Sequence, residues 1–521
     1  MLRQIIYSIL LLSMSWGAQA QCPTINVNIP DTVCSLSLQT IQNNTLGNNT
    51  YEWDFCSPDL NLPFQQQTVA TITGVTGAIN AFDIAEDNGN WFGLVISRNN
   101  QMFRLNFGNS LDNTPIITAL ANPSSLLNTP MSVQLIQEGN TWYAFVLNLT
   151  GPNHLIRYNF GTSLAGTPSG TAVNIGTHNN PSNIRIYKDN SDYIVVIAGL
   201  QGNRITLVSF GNSLANNTVN VLNSPVITGQ DFGSINVVKE CNTWYGISTT
   251  VVSNQVYRLN FGANLFSNPT FTQITSQYPT TSAAFQSEVF YDQNGFQTFI
   301  LNRTTGVLTR SLAADATSSV TNSVTVATFT TGSTQAMTSA YQNGRFYLFV
   351  CEQSGAVIRL RSGGTCDASV ANSNATNPTF NYTQAGMKRL MLAATDANGN
   401  VSRLRKNVFV RSNPYINTNI STIKNCKEQP VLFQTNITNQ TGVSLNWQFH
   451  DGINSNLYNP SKNYDTAGTY PVILQINDIN GCSRTISQNI RIKTTYGKFP
   501  HSKFTILSNL CSNATLQFAD S

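Results

Sequence analysis

Charge is what this chain has least of. Of 521 residues, 28 are Lys or Arg and 24 are Asp or Glu, for a net charge of +4. A surface this weakly charged has no electrostatic footprint for nucleic acid or for an anionic membrane. Histidine is scarcer still. His154, His178, His450 and His501 are the whole set, and no two keep a metal-ligand spacing. No G-x-S-x-G, H-E-x-x-H or P-loop occurs, so the common nucleophilic, zinc and phosphate-cradling chemistries have no motif to rest on. Neither a catalytic residue nor a cofactor is expected. "DNGNW" (87–91) is close to the Asp box of sialidase-type propellers but departs by one residue, and "KDNSD" (188–192) mimics a calcium loop. Both read as turns. No helical period is evident, and no stretch after the first twenty residues is long and apolar enough to cross a bilayer.

Those first twenty residues, "MLRQIIYSILLLSMSWGAQA", combine a basic start, a short apolar core and small residues at Ala18 and Ala20. They read as a secretory signal peptide (1–20) cleaved after Ala20; the apolar run is too short for an anchor. Export makes the nine cysteines available for disulfides, with one left over.

The middle of the chain repeats itself. "FRLNFGNSLDNTP" (103–115), "IRYNFGTSLAGTP" (156–168), "LVSFGNSLANN" (207–217) and "YRLNFGANLFSNP" (257–269) are variants of one phrase. Its central Phe recurs at 107, 160, 210 and 261. An aromatic after a polar turn keeps the same step at Trp91, Trp142, Tyr193, Trp244, Phe296 and Phe346. Six units of roughly 50 residues, each with four short strands bounded by Asn, Gly and Pro, have the size and rhythm of propeller blades. In each, strand a precedes the polar turn, b begins at the aromatic, c ends at "NFG" and d follows "NSL". The sixth unit lacks its strand d, whereas "QTVATITG" (67–74) precedes the first unit unassigned. That strand is expected to close the ring and cover an open sheet edge. The repeated phrase reads as architecture. Arg104, Arg157, Arg258 and Arg359, each three residues before the Phe or its equivalent, read more readily as blade-pairing groups than as an anion-binding ring.

The C-terminal third has another rhythm. "LNWQFHDG" (445–452) and "NPSKNYDTAGTYPVILQINDINGC" (459–482) carry Trp447, Phe449, Asp451 and Gly452, then Tyr464, Gly468, Tyr470 and Val472. This resembles the PKD (polycystic kidney disease) domain, an immunoglobulin-like β-sandwich, with His450 where a Gly is usual. The same hallmarks occur split in two, as "YEWDF" (51–55) and "NPTFNYTQAGMKRLMLAATDANGN" (377–400). The fold class expected is therefore all-β: a six-bladed propeller (57–365) inserted into a PKD-like sandwich (21–56 and 366–412). A PKD domain (413–494) and the start of a further, truncated module (495–521) follow. Insertion is tolerable where the ends of the insert lie close. Cys56 and Cys366 would clamp that neck. Within the modules the resemblance implies pairing of Cys426 with Cys482. Asn400 stands where the first sandwich would carry its second Cys, so Cys22 is assigned to Cys34. Cys511 would look for a partner beyond Ser521.

Taken whole, the chain resembles exported surface proteins of gliding and polymer-degrading bacteria. That resemblance implies adhesion or recognition outside the cell, PKD modules as spacers, and secretion machinery reading a C-terminal region absent here. Partners of that kind are a polysaccharide, a surface glycan or a protein; the competing reading is a propeller-type glycoside hydrolase or polysaccharide lyase. The a–b and c–d turns repeat closely, whereas the b–c and d–a connections vary, and loops on a rigid scaffold are where function concentrates. The candidate ligand-binding residues are accordingly Arg98, His154, His178, Asp231, Tyr278 and Arg303, with Tyr278 expected to stack on a neutral sugar.

Overall fold

The structure is a computed structural model. It describes residues 22–494 except 177, 179, 280–283, 285, 333 and 365, and the backbone of two short strands at 504–506 and 518–520. The expected signal peptide, Cys511 and half of the connection at 276–285 lie outside the described residues.

Six four-stranded antiparallel sheets form the propeller. Strands a are Ile79–Asp87, Pro130–Glu138, Pro181–Asp189, Phe232–Glu240, Gln286–Asp292 and Thr334–Gln342. In the sixth blade, Gln65–Thr71 pairs outside Ala356–Ser362, with Thr68 opposite Ile358. The ring is thus closed by the N-terminal strand, two to three residues earlier than the sequence suggested. Closure gives blade 6 its fourth strand, and the core is continuous across the junction: Phe82, Phe103 and Phe107 of blade 1 pack with Tyr347 and Phe349 of blade 6.

The first sandwich is built from chain on both sides of the propeller. Its main sheet orders Thr32–Cys34, Val401–Arg411, Gly386–Thr395, Thr50–Asp54 and Asn372–Ser373. Trp53 is buried at its centre opposite Leu392, and its indole donates to the Ala375 carbonyl at 3.0 Å. The second sandwich repeats this arrangement within one continuous stretch. Trp447 is buried opposite Leu474 and donates to the Leu457 carbonyl at 3.0 Å. His450, the departure from the PKD pattern, stacks on Tyr464 at 5.2 Å between ring centres and packs against the tilted ring of Tyr470 at 4.4 Å.

The disulfides correct two expectations. Cys56–Cys366 does close the neck, with Cα atoms 5.3 Å apart. Cys34 does not pair with Cys22 but with Cys482 of the second sandwich, and Cys22 reaches Cys241 in blade 4. Cys426 is disulfide-bonded, but not to Cys482. The physical reason is that Cys34 ends its strand facing the next module and is buried in that module's core. These bridges staple modules together; the sequence reading placed them inside modules. The joint is reinforced by Asn413, whose amide donates to Ser37 Oγ (3.3 Å) and to the Ser483 carbonyl (2.9 Å). Cys351, in strand b of blade 6, is the free thiol among the described residues; it is buried, and burial pushes its pKa up.

Candidate ligand-binding face

The repeated phrase is a clasp between blades. The acid or amide ending each strand a accepts the backbone N–H of the Leu, or its equivalent, in the next blade's c–d turn. Leu164 donates to Asp87 (2.9 Å), Leu214 to Glu138 (3.0 Å), Leu265 to Asp189 (2.8 Å) and Ala316 to Glu240 (3.1 Å). Blade 6 has no such turn of its own, so Leu60, just before the closing strand, donates to Asp292 at 3.1 Å. Leu111 completes the circuit on Gln342 at 2.9 Å. The leucines are fully buried, each contributing roughly 1.5–3 kcal/mol. The recurrent arginines serve the same clasp. Arg104 donates to the carbonyls of Leu164 and Gly166, Arg157 to those of Leu214 and Asn216, Arg258 to that of Ser318, and Arg359 to that of Leu111. They form no anion-binding ring.

The clasp lies on the a–b and c–d face, and the first sandwich sits on that face. Cys241 and Val401 exchange backbone hydrogen bonds at 2.9 and 3.1 Å beside the Cys22–Cys241 bridge. Arg403 donates to the Lys239 carbonyl and to Glu240, both at 3.1 Å, and its guanidinium lies 4.2 Å over the Tyr291 ring. Tyr341 donates to Asp54 at 2.9 Å, and Arg389 pairs with Asp59 at 2.9 Å. Clefts of about 450 and 350 Å³ remain where the two domains meet. Their charged groups are already paired, Asp112 with Arg345 and Arg361 and Asp367 with Lys388. A third, of about 440 Å³, lies in the sandwich around Asn26, Leu46 and Asp396.

The axis of the propeller holds a feature the sequence reading missed. Eight residues before each aromatic marker, strand a carries a polar side chain: Asp83, Gln134, Arg185, Asn236, Glu288 and Thr338. A search for recurring residue types overlooks it, because the six differ chemically; the recurring property is polarity in an apolar strand. The physical need is local. Strand a is the inner edge of each blade: it pairs with strand b on one side, and the backbone N–H groups on its axial side have no strand to pair with. Side chains of the preceding blade accept them: Leu135 N–H donates to Asp83 (2.7 Å), Ile186 N–H to Gln134 (2.6 Å) and Ile235 N–H to Asn183 (3.2 Å). Charge then bridges the axis. Arg185 of blade 3 meets Glu288 of blade 5 at 2.5 Å and donates to Asn236 at 3.0 Å, while Thr338 donates to Asp83 at 2.9 Å. Burial pushes the Asp83 and Glu288 carboxyls up; the Leu135 N–H opposes it most at Asp83, and Arg185 opposes it most at Glu288. Among the described residues, none of the six side chains leaves a buried polar atom without a partner.

The b–c and d–a connections emerge on the opposite face. There the structure brings the candidates together in two pairs. The His154 and His178 rings meet edge to face, 6.0 Å apart. Burial, and then the charges of His154 and Arg204, hold the His178 pKa below its ordinary value despite its bond to the Ile175 carbonyl. Arg303 is half-buried; burial first, and then the charge of Arg98, push its guanidinium down. Arg98 is exposed. Asp231 and Tyr278 make no hydrogen bond or ion pair with either pair among the described residues. Tyr278 packs against the cluster of Ile247, Ile274 and Phe296, and burial raises its pKa. It is no open stacking platform. Among the described residues no cluster of three His, Cys, Asp or Glu could hold a metal ion. His178, Arg204, Thr206 and Asn223 line a small recess on this face.

Residues 411–494 match the family described as the PKD domain. No curated protein matches the chain. Among solved structures, the chain is similar to an exo-β-1,3-galactanase from Phanerochaete chrysosporium at 9% identity and TM-score 0.35, over 70% of this chain and 90% of that one. It is similar to AofleA from Arthrobotrys oligospora at 8% identity and TM-score 0.38, over 74% of this chain and 99% of that one. For the extracellular domain of a hybrid two-component system from B. thetaiotaomicron the figures are 11% and 0.34, over 83% of this chain and 59% of that one. Likeness at this level extends to no site residue.

Proposed function

We propose that this is an exported, non-catalytic recognition protein whose propeller binds a polysaccharide, surface glycan or protein with its b–c and d–a face. The PKD-like modules are its spacers. One observation carries the reading: the first sandwich occupies the a–b and c–d face through a disulfide, a backbone bridge and the Arg403–Glu240 pair. Only the variable face is left to meet a large ligand. Three disulfides fit an extracellular protein, and the leader-like first twenty residues fit export. No helix among the described residues is long and apolar enough to cross a membrane. Against the propeller-hydrolase reading stand the two axial carboxylates. Asp83 and Glu288 are held by backbone, hydroxyl and guanidinium partners, which leaves neither presented to a substrate.

The test is a polysaccharide panel scored for both retention and turnover. The ligand found is then titrated into a variant with Arg98, His154, His178, Asp231 and Arg303 replaced by Ala, Tyr278 being kept because it packs in the core. The expected result is retention without turnover, and a loss of affinity in the variant that equal substitutions on the a–b turns do not cause. Turnover that disappears in Glu288→Gln would establish the hydrolase instead.

A further inference from the structure

The recess at blade 3 is small and mostly polar. His178 enters it from the d–a connection, Pro181 from the start of strand a, Ile197 and Gly199 from the end of strand b, Gly202 and Arg204 from the b–c connection, and Thr206 and Asn223 from strands c and d. Arg204 Nε donates to the Gly202 carbonyl at 3.3 Å, and its two Nη atoms make no hydrogen bond among the described residues. The Thr206 hydroxyl donates to Asn223 Oδ1 at 2.7 Å, so the Asn223 amide nitrogen remains a donor. His178 Nε2 is engaged by the Ile175 carbonyl at 3.0 Å, which leaves Nδ1, 3.5 Å from Thr206 Oγ1, as the atom a proton would join. No carboxylate lines the recess among the described residues. A fork of guanidinium donors, an amide donor and a protonatable imidazole, with no anion among them, are complementary to a planar oxyanion.

Size narrows the class. The volume is about 70 Å³. Pockets that enclose a whole small-molecule ligand run to about 300 Å³ or more, so the recess fits a small end group such as a carboxylate and does not enclose a whole sugar. We propose that this recess binds the carboxylate of an acidic sugar residue, a uronic acid, in a polysaccharide lying across the open face. The inference rests on reading that face as the ligand surface, and it replaces the neutral glycan that Tyr278 was expected to stack on.

The groups facing His178 are His154 and Arg204, both of which disfavour its protonation in the empty protein. A bound carboxylate opposes them. Affinity should therefore rise on acidification, as His178 takes up a proton with the ligand.

The experiment titrates the full chain with a galacturonic acid oligomer, the matching neutral galactose oligomer and inorganic sulfate, at pH 7.5 and 5.5. The wild type should bind the acidic oligomer more tightly than the neutral one, and more tightly at pH 5.5. Arg204→Gln should weaken the acidic oligomer at least tenfold, and Arg204→Lys less, with both variants melting as the wild type does. His178→Ala should abolish the pH dependence. The proposal is overturned if Arg204→Gln leaves galacturonate affinity unchanged, if the neutral oligomer binds as well as the acidic one, or if sulfate alone binds. Binding of the neutral oligomer alone would remove the carboxylate site and keep the open face as a recognition surface; binding of no carbohydrate would remove the carbohydrate reading of both.

Discussion

The two faces of the propeller are made by the same blades and differ in every other respect. On one, six turns repeat a clasp of carboxylate or amide to backbone N–H, arginines reach the next blade's carbonyls, and a sandwich is stapled over the result. On the other, connections of different length and composition carry His154, His178, Arg98, Arg204 and Arg303. Repetition marks the face where every blade has the same structural task. Variation marks the face where the blades are released from it, and that is where a ligand can be specified.

The largest effect should come from breaking the shared scaffold. Deleting Gln65–Thr71 leaves Ala356–Ser362 as an open edge in blade 6. Loss of cooperative melting together with concentration-dependent aggregation is expected, and light scattering reads it; a monomer with unchanged melting would contradict ring closure.

A single clasp should cost less. Asp87 accepts from the Trp142 indole (3.1 Å) and the Leu164 N–H (2.9 Å), both buried, and from the part-buried Ser163 hydroxyl (2.6 Å). Asp87→Ala strands these donors, at about 1–3 kcal/mol for each that no water reaches. Denaturant unfolding should show a loss of about 3 kcal/mol, against about 0.5 kcal/mol or less for Arg98→Ala on the open face.

The seam between sandwich and propeller should answer to pH. Burial raises the Asp54 pKa from 3.8 to about 6, outweighing the bonds it accepts from the Cys56 N–H and the Tyr341 hydroxyl. The folded state therefore holds a proton that the unfolded chain has released. The sign follows: stability gained through Asp54 grows as pH falls through about 6 and levels off near the ordinary value. From pH 7 to pH 5 the gain is about 1 kcal/mol. Asp54→Asn should abolish this increment and nothing else in the pH profile of urea unfolding. An unchanged profile would mean that the carboxyl at the seam is hydrated.

How much of this was legible in the sequence depended on whether a feature repeats in residue type. The period of the phrase around Phe107, Phe160, Phe210 and Phe261 is visible in the letters, because a buried aromatic at a blade junction tolerates few substitutes. The split hallmarks at Trp53 and Tyr382 were visible for the same reason, since each fills the core position that Trp447 or Tyr464 fills in the intact copy. The axial residues were not. An edge N–H is satisfied equally by Asp83 or Gln134, so the position keeps its polarity and not its identity. Disulfide partners were misread because spacing speaks only of residues within a module, whereas Cys34 and Cys482 meet through the packing of two modules. Tyr278 has the chemistry of a stacking group in a variable loop, and only the fold reveals that it is spent on the core.

The account turns on which face meets a ligand. Hydrogen exchange read by mass spectrometry, with and without the polysaccharide retained from the panel, decides it directly. Protection is expected in the connections at 97–101, 148–154, 199–204 and 228–234, with the turns at 88–90, 139–141 and 190–192 unchanged. Protection confined to those turns, or to the sandwich seam around Val401, would place the ligand on the covered face and contradict the account.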